Sequence, residues 1–146
     1  MITDKLTIFG DSEDVTAVCD LICKCSQLLD VQLCECIVYI GDVSEPCKAS
    51  ADKAVIVPYE YKDKITQGRV MTYSATQTAA DVASLNLQKR ENALCFEVLS
   101  GAQMSRVFIP YNTNCTQSQV LVCAGVLCAS GVSVNKAVET INSILK

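Results

Sequence analysis

Two short stretches constrain this chain more than any other feature. Cys36-Ile37-Val38-Tyr39-Ile40 and the run from Lys53 to Pro58 carry apolar side chains at successive positions, without polar alternation. Neighbouring strand residues point to opposite faces, so such runs suit strands buried on both faces, as in a parallel sheet covered by other elements. The segment before the first run fits that picture. Lys5 to Phe9 alternates as a strand and turns at Gly10-Asp11, and Val15, Val18, Cys19, Ile22 and Leu29 then recur at helical spacing. Ser12 is placed to cap that helix, and Glu13 and Asp14 suit the positive end of its dipole.

Arg69 to Ser74 reads as a further short strand. Beyond it the pattern changes: Asp81 to Leu87, Leu94 to Leu99 and Arg106 to Tyr111 have strand-like composition. They are joined by the polar connections Gln88 to Asn92 and Ser100 to Gln103, as in an antiparallel meander. Two helices close the chain, from about Thr116 to Ala129, stopping at Ser130-Gly131, and from about Ser133 to Leu145. The expected fold class is α/β: a mainly parallel sheet flanked by helices, with an antiparallel β-meander extension and two C-terminal helices. With 146 residues and no Pro/Gly/Ser-rich linker, a single domain over residues 1–146 is expected.

Half of the residues are hydrophobic and 19% charged, which places the chain among globular rather than disordered sequences. Net charge is −4 and the cations are scattered, so no cluster is available to displace counterions from a duplex. With 5% aromatic residues and no Trp, a stacking platform for single strands is also unsupported, and no nucleic-acid partner is expected. The N-terminus Met1-Ile2-Thr3-Asp4-Lys5-Leu6 does not read as a signal peptide, and no apolar run reaches the ~18 residues of a membrane span. The expectation is a cytoplasmic protein with no membrane partner, its ten cysteines held as thiols.

From Lys53 to Lys146 the sequence resembles the second half of the central domain of the Mur ligase family, the ATP-dependent peptide-bond-forming enzymes of cell-wall synthesis. Ala54-Val55-Ile56-Val57 resembles the strand before the family's acidic loop, and Arg69-Val70-Met71-Thr72-Tyr73-Ser74 the short strand that follows. Ala80-Asp81-Val82-Ala83-Ser84-Leu85-Asn86 is similar to the family's "ADVxxxN" strand. Phe96-Glu97-Val98 and Val107-Phe108-Ile109-Pro110 match the next two, and Val120 to Val132 resembles the Ala-rich helix ending in "LGV". Residues 1–52 then read as a strand-helix-strand portion, a reduced version of the preceding sheet.

The departures carry as much weight as the matches. The resemblance implies a phosphate-binding loop of the type Gly-x-x-Gly-Lys-Thr/Ser, yet none of the six glycines is followed by Lys. Such a loop needs glycines so that backbone N–H groups surround a phosphate, and a Lys to neutralise it. Gly10-Asp11-Ser12-Glu13-Asp14 instead places three carboxylates at the corresponding turn. Thr113, Cys115, Thr116 and Gln119 stand where the family's "GxHNxxN" holds the nucleotide, and the chain has no His for the family's metal. The chain also stops where the resemblance would place the family's C-terminal domain. A stand-alone ATP-dependent ligase is therefore not expected.

Without His, Cys-His and Ser-His nucleophile pairs and His-containing zinc sites are excluded. Cys23-x-Cys25 and Cys34-x-Cys36 invite a four-cysteine metal reading, but one intervening residue is too few for a zinc knuckle. Cys19, Cys25, Cys36, Cys123 and Cys128 instead fall on apolar faces, where free Cys acts as a small hydrophobe. Asp11 and Asp42, each after a strand and a Gly, could offer oxygen ligands at the carboxyl edge of a parallel sheet; ordinary turn chemistry is the favoured reading. Tyr59-Glu60-Tyr61-Lys62-Asp63-Lys64 reads as a solvated connection. No catalytic or metal-binding residue is assigned, no cofactor is expected, and the cofactor-binding residues stay unknown. The functional expectation is a non-catalytic binding or assembly domain resembling a truncated Mur ligase central domain. The alternative is a small cytosolic metal- or thiol-dependent protein using Cys or Asp. A sheet lacking its front strands leaves an unpaired apolar edge, so a homodimer or a separately encoded protein partner is expected to cover it.

Overall fold

The structure, a computed structural model, describes residues 5–43, 47–48 and 52–146. In chain order the elements are β1 (Leu6–Phe9), α1 (Ser12–Leu29), β2 (Cys36–Tyr39), β3 (Cys47–Lys48) and β4 (Ala54–Pro58). A 3-10 helix (Tyr59–Lys64), β5 (Ile65–Gln67), β6 (Arg69–Ser74), β7 (Val82–Lys89), β8 (Ala93–Ser100) and β9 (Gln103–Pro110) follow. The chain closes with α2 (Gln117–Ala129) and α3 (Val134–Leu145).

The main sheet has seven strands in the order β1-β2-β4-β6-β7-β8-β9, and β3 pairs with β5 in a separate two-stranded sheet. From β1 to β7 every pairing is parallel, and β8 and β9 add to it antiparallel. The expected parallel sheet with an antiparallel extension is thus present. The β7–β8 register shifts between Leu85 and Gln88, where Asn86 takes a left-handed backbone (φ 58°) and donates to Glu97 Oε2 at 2.6 Å. Arg106 reaches Glu97 from β9 at 3.0 Å. These bonds from Asn86 and then Arg106 hold the Glu97 carboxyl below its usual range.

The helices gather on one face of the sheet. Apolar side chains of α1, α2 and α3 join Cys36, Val38, Ile56, Val82, Phe96, Val98, Val107 and Ile109 in one core. Within that core α2 packs on β4, β6 and β7 and also on α1 and α3, which touch each other. That placement explains the near-continuous apolar stretch from Val120 to Leu127: every residue of it is buried, and a helix surrounded on all sides has no polar stripe. Gly125 lets α2 approach the sheet, because a Cβ there would stand 3.2 Å from Ile56 Cγ2. The opposite face carries a smaller cluster of Val43, Val55, Val57 and Ile65, against which Ile37, Tyr39 and Tyr61 pack.

The helix ends follow local chemistry. A capping box between Thr116 and Gln119 starts α2, and Ser133 caps α3 by accepting from Lys136 N–H. Bonds from Gly131 N–H to Cys128 O and from Val132 N–H to Leu127 O close α2 at Ser130-Gly131, with Gly131 at φ 96°. The start of α1 differs from expectation: its N-cap is Asp11, whose side chain makes no capping bond, and Ser12 lies already inside the helix. The six residues Tyr59–Lys64 are the solvated connection expected, with none of them buried, and they take 3-10 form, Tyr61 resting on the smaller core and Lys64 Nζ donating to Val43 O at 2.6 Å. Among the described residues no helix is long and apolar enough to cross a membrane.

Candidate functional site

The parallel strands all deliver their carboxyl ends to one edge of the sheet, where ligands bind in open α/β folds. A cleft of about 570 Å³ opens there, lined by Asp14 of α1, Gly41 after β2, Tyr59 and Glu60 after β4, and Ser74 at the end of β6. Its floor is held by Tyr73, whose buried hydroxyl donates to Tyr39 O at 2.7 Å and accepts from Gly41 N–H at 3.4 Å. Burial pushes the Tyr73 phenol up to about 12, so it is a neutral structural donor and not an acid at ordinary pH. The rim after β6 is a side-chain turn in which Ser74 Oγ accepts from the Thr76 and Gln77 N–H groups. Asp81 fastens β7 to β6 by accepting from Thr72 N–H at 2.8 Å and Thr72 Oγ1 at 3.1 Å.

Asp14 and Thr116 also border a second, more open groove of about 930 Å³ between α1 and the segment leading into α2. The two spaces are divided by one network. Gln119 Nε2 donates to Asp14 Oδ1 at 2.8 Å, while Gln119 Oε1 accepts from Thr116 N–H at 3.1 Å and Gln119 N–H donates to Thr116 Oγ1 at 3.2 Å. The resemblance placed Thr116 and Gln119 at nucleotide-holding positions. Here they cap their own helix and tie it to α1. Glu13, Asp14, Asp20 and Glu60 line the two spaces, and among the described residues no Lys or Arg does.

Asp11 and Asp42 do sit after the carboxyl ends of β1 and β2, both exposed, but they do not build a shared site. The negative charge of Asp42, which faces the Tyr61 hydroxyl, raises that phenol, and neither Asp borders the carboxyl-edge cleft. Among the described residues no three His, Cys, Asp or Glu side chains come together as a metal group.

The cysteines pair off instead of converging. Cys34 and Cys36 Sγ atoms lie 3.5 Å apart beside Ser130, and Cys25 and Cys123 lie 4.0 Å apart in the core. Cys23 stands with Cys19 on α1, away from Cys25. Burial raises the Cys36 thiol, with the neighbouring Cys34 adding to it, and burial alone pushes Cys115 up to about 11. Cys123 is raised well above the ordinary range for the same reason. Such thiols are poor nucleophiles at neutral pH.

Sequence reasoning missed the Asp14–Gln119 tie, since 105 residues separate the partners and nothing local marks either one. It also missed Tyr73 as the cleft floor, because a Tyr in an apolar strand signals core and not the destination of its hydroxyl.

No protein-family model and no curated protein sequence matches the chain. Solved structures do. The chain is similar to UDP-N-acetylmuramoylalanyl-D-glutamyl-2,6-diaminopimelate--D-alanyl-D-alanyl ligase from Acinetobacter baumannii, with a TM-score of 0.68 and 10% identity, over 94% of this chain and 45% of that one. It is also similar to a crystal structure of MurF from Acinetobacter baumannii, with a TM-score of 0.53 and 12% identity, over 73% of this chain and 28% of that one. The chain spans less than half of either structure, and at these identities the likeness concerns the fold. Across nearly its whole length, this chain has a Mur ligase-like fold.

Proposed function

We propose that this chain is a non-catalytic binding or assembly domain built on a truncated Mur ligase-like fold. The observation that carries the proposal is electrostatic. In both spaces at the carboxyl edge the charged lining among the described residues is carboxylate, with Asp14 aimed across the start of α2. An anion entering there meets like charges at short range, which disfavours a triphosphate by several kcal/mol relative to a site lined by Lys. The N–H groups that a helix start can lend to a phosphate are partly used, since the capping box consumes that of Gln119. The cytosolic metal- or thiol-dependent alternative is weaker, because burial raises the Cys36, Cys115, Cys123 and Cys128 thiols, and Cys25, which its hydrogen bond with Cys123 lowers, is buried in the core.

Equilibrium dialysis with radiolabelled ATP and magnesium tests the reading. No retention at millimolar nucleotide is expected, together with no release of phosphate. Saturable retention, or turnover, would overturn it.

A further inference from the structure

The two edges of the main sheet are treated differently. At the β9 edge, Asn142 of α3 acts as a one-residue substitute for a strand: its Nδ2 donates to Arg106 O at 2.9 Å and its Oδ1 accepts from Phe108 N–H at 3.0 Å. A single residue of a parallel neighbour would occupy those same two groups. The β9 edge is therefore occupied at its middle. Among the described residues no strand lies beyond β1. Ile40 N–H donates to Phe9 O, so Thr7 and Phe9 turn their backbone groups toward β2, and Leu6 and Ile8 present theirs outward by strand alternation.

We infer that β1 is the contact between two copies of this chain, pairing antiparallel with β1 of the second copy about a two-fold axis at Ile8. The inference rests on the assembly-domain reading and names its partner. With Ile8 opposite Ile8, Leu6 falls opposite Gly10 of the second copy and Lys5 opposite Asp11 of the second copy, twice by symmetry. This register brings Lys5, which precedes β1, toward Asp11, the N-cap of α1 just beyond it, so that opposite charges approach each other past both ends of the paired strands. Registers centred on Leu6 or Thr7 set Lys5 opposite Thr7 or Phe9 and forgo that match. On the face away from the helices, Thr7 lies opposite Phe9 of the second copy. That covers a ring now 50% exposed and stacked on Tyr39 with centroids 5.1 Å apart. A two-fold axis normal to the sheet keeps both helix layers on one side and joins the two sheets into a continuous one. Short, charged ends on an apolar edge also discourage pairing with unrelated strands.

Sedimentation velocity at micromolar concentration, with circular dichroism to confirm folding, tests the inference. The unmodified chain is expected at twice its 15.8 kDa mass. Leu6→Pro removes an outward N–H at an edge where proline is tolerated, and is expected to give a folded monomer. Lys5→Glu and Asp11→Lys should each weaken the dimer roughly tenfold, and the double variant should restore it. A monomeric unmodified chain, or a dimer indifferent to the charge exchange, overturns the β1 interface. Neither result bears on nucleotide retention, so the non-catalytic reading stands or falls separately.

Discussion

Replacing Asn142 by Ala isolates the occupation of the β9 edge at its middle. The substitution removes two hydrogen bonds, to Arg106 O and Phe108 N–H, and leaves both backbone groups to water. A net contribution of about 0.5–1.5 kcal/mol per bond, taken toward the lower half because the site is only half-buried, gives a loss of about 1–2 kcal/mol. In a chain of this size that lowers the melting temperature by about 2–4 °C per kcal/mol. Urea denaturation followed by circular dichroism measures the free energy, and amide exchange at Phe108 gives the local readout. Asn142→Asp sharpens the test. A carboxylate still accepts from Phe108 N–H but cannot donate to Arg106 O, which it meets as a second negative end. It should therefore cost more than Ala. If Ala changes stability by less than about 0.3 kcal/mol with unaltered exchange at Phe108, the side chain does not secure the edge.

Gly10→Ala should destabilise by about 1–3 kcal/mol in urea, because the new Cβ would stand 3.0 Å from Ile40 Cβ on the neighbouring strand; an unchanged midpoint would refute that packing argument. Tyr73 has a folded-state phenol raised to about 12 from an ordinary value of 10, so its contribution is complete below pH 10 and is lost as pH climbs toward 12. Tyr73→Phe should cost about 1–2 kcal/mol at neutral pH and flatten the alkaline fall in stability over that window, as read from denaturation midpoints; an equally steep fall would show that other groups control it. Asp14→Ala, which frees Gln119 Nε2, should cost about 1–2 kcal/mol in the same assay, and a neutral result would mean that α1 and α2 do not depend on this bond. Alkylation with a maleimide in the folded state should leave Cys25, Cys36, Cys95 and Cys123 unmodified by mass spectrometry, and a fast-reacting member of that set would revive a thiol-based function.

Most of the fold was legible because its signals are local. Arg69–Ser74 reads as a strand with the bounds it has in the structure, and the apolar runs at β2 and β4 announce burial on both faces. The end of α2 at Ser130-Gly131 follows from the need for a left-handed residue there. What was illegible depends on contacts between distant segments. Nothing in Tyr59–Lys64 says that Tyr61 will rest on the smaller core, so the 3-10 form of this solvated connection was not legible. Strands β3 and β5, two and three residues long, fall below the length at which periodicity means anything. Ser12 has the chemistry of a cap, but the chain leaves its extended conformation one residue earlier, at Asp11. For the site, sequence could remove the chemistry that needs His or a phosphate loop. It could not assemble the cleft, whose lining comes from five separate segments between Asp14 and Ser118.

Thr116 and Gln119, which the resemblance places at nucleotide-holding positions, supply structure in this chain. A helix start that is to hold an anion must keep N–H groups free and a cation near, both of which cost stability while the site is empty. In this chain Gln119 and Thr116 satisfy each other, and the remaining amide of Gln119 secures Asp14. The Asp14 carboxylate then stands near the positive end of α2, a favourable position for it and a repulsive one for any phosphate. Stabilising α2 in this manner matters because that helix is buried against both the sheet and its two neighbours, so its position fixes the whole helix layer. Freeing the start of α2 for an anion would thus require giving up the tie between α1 and α2.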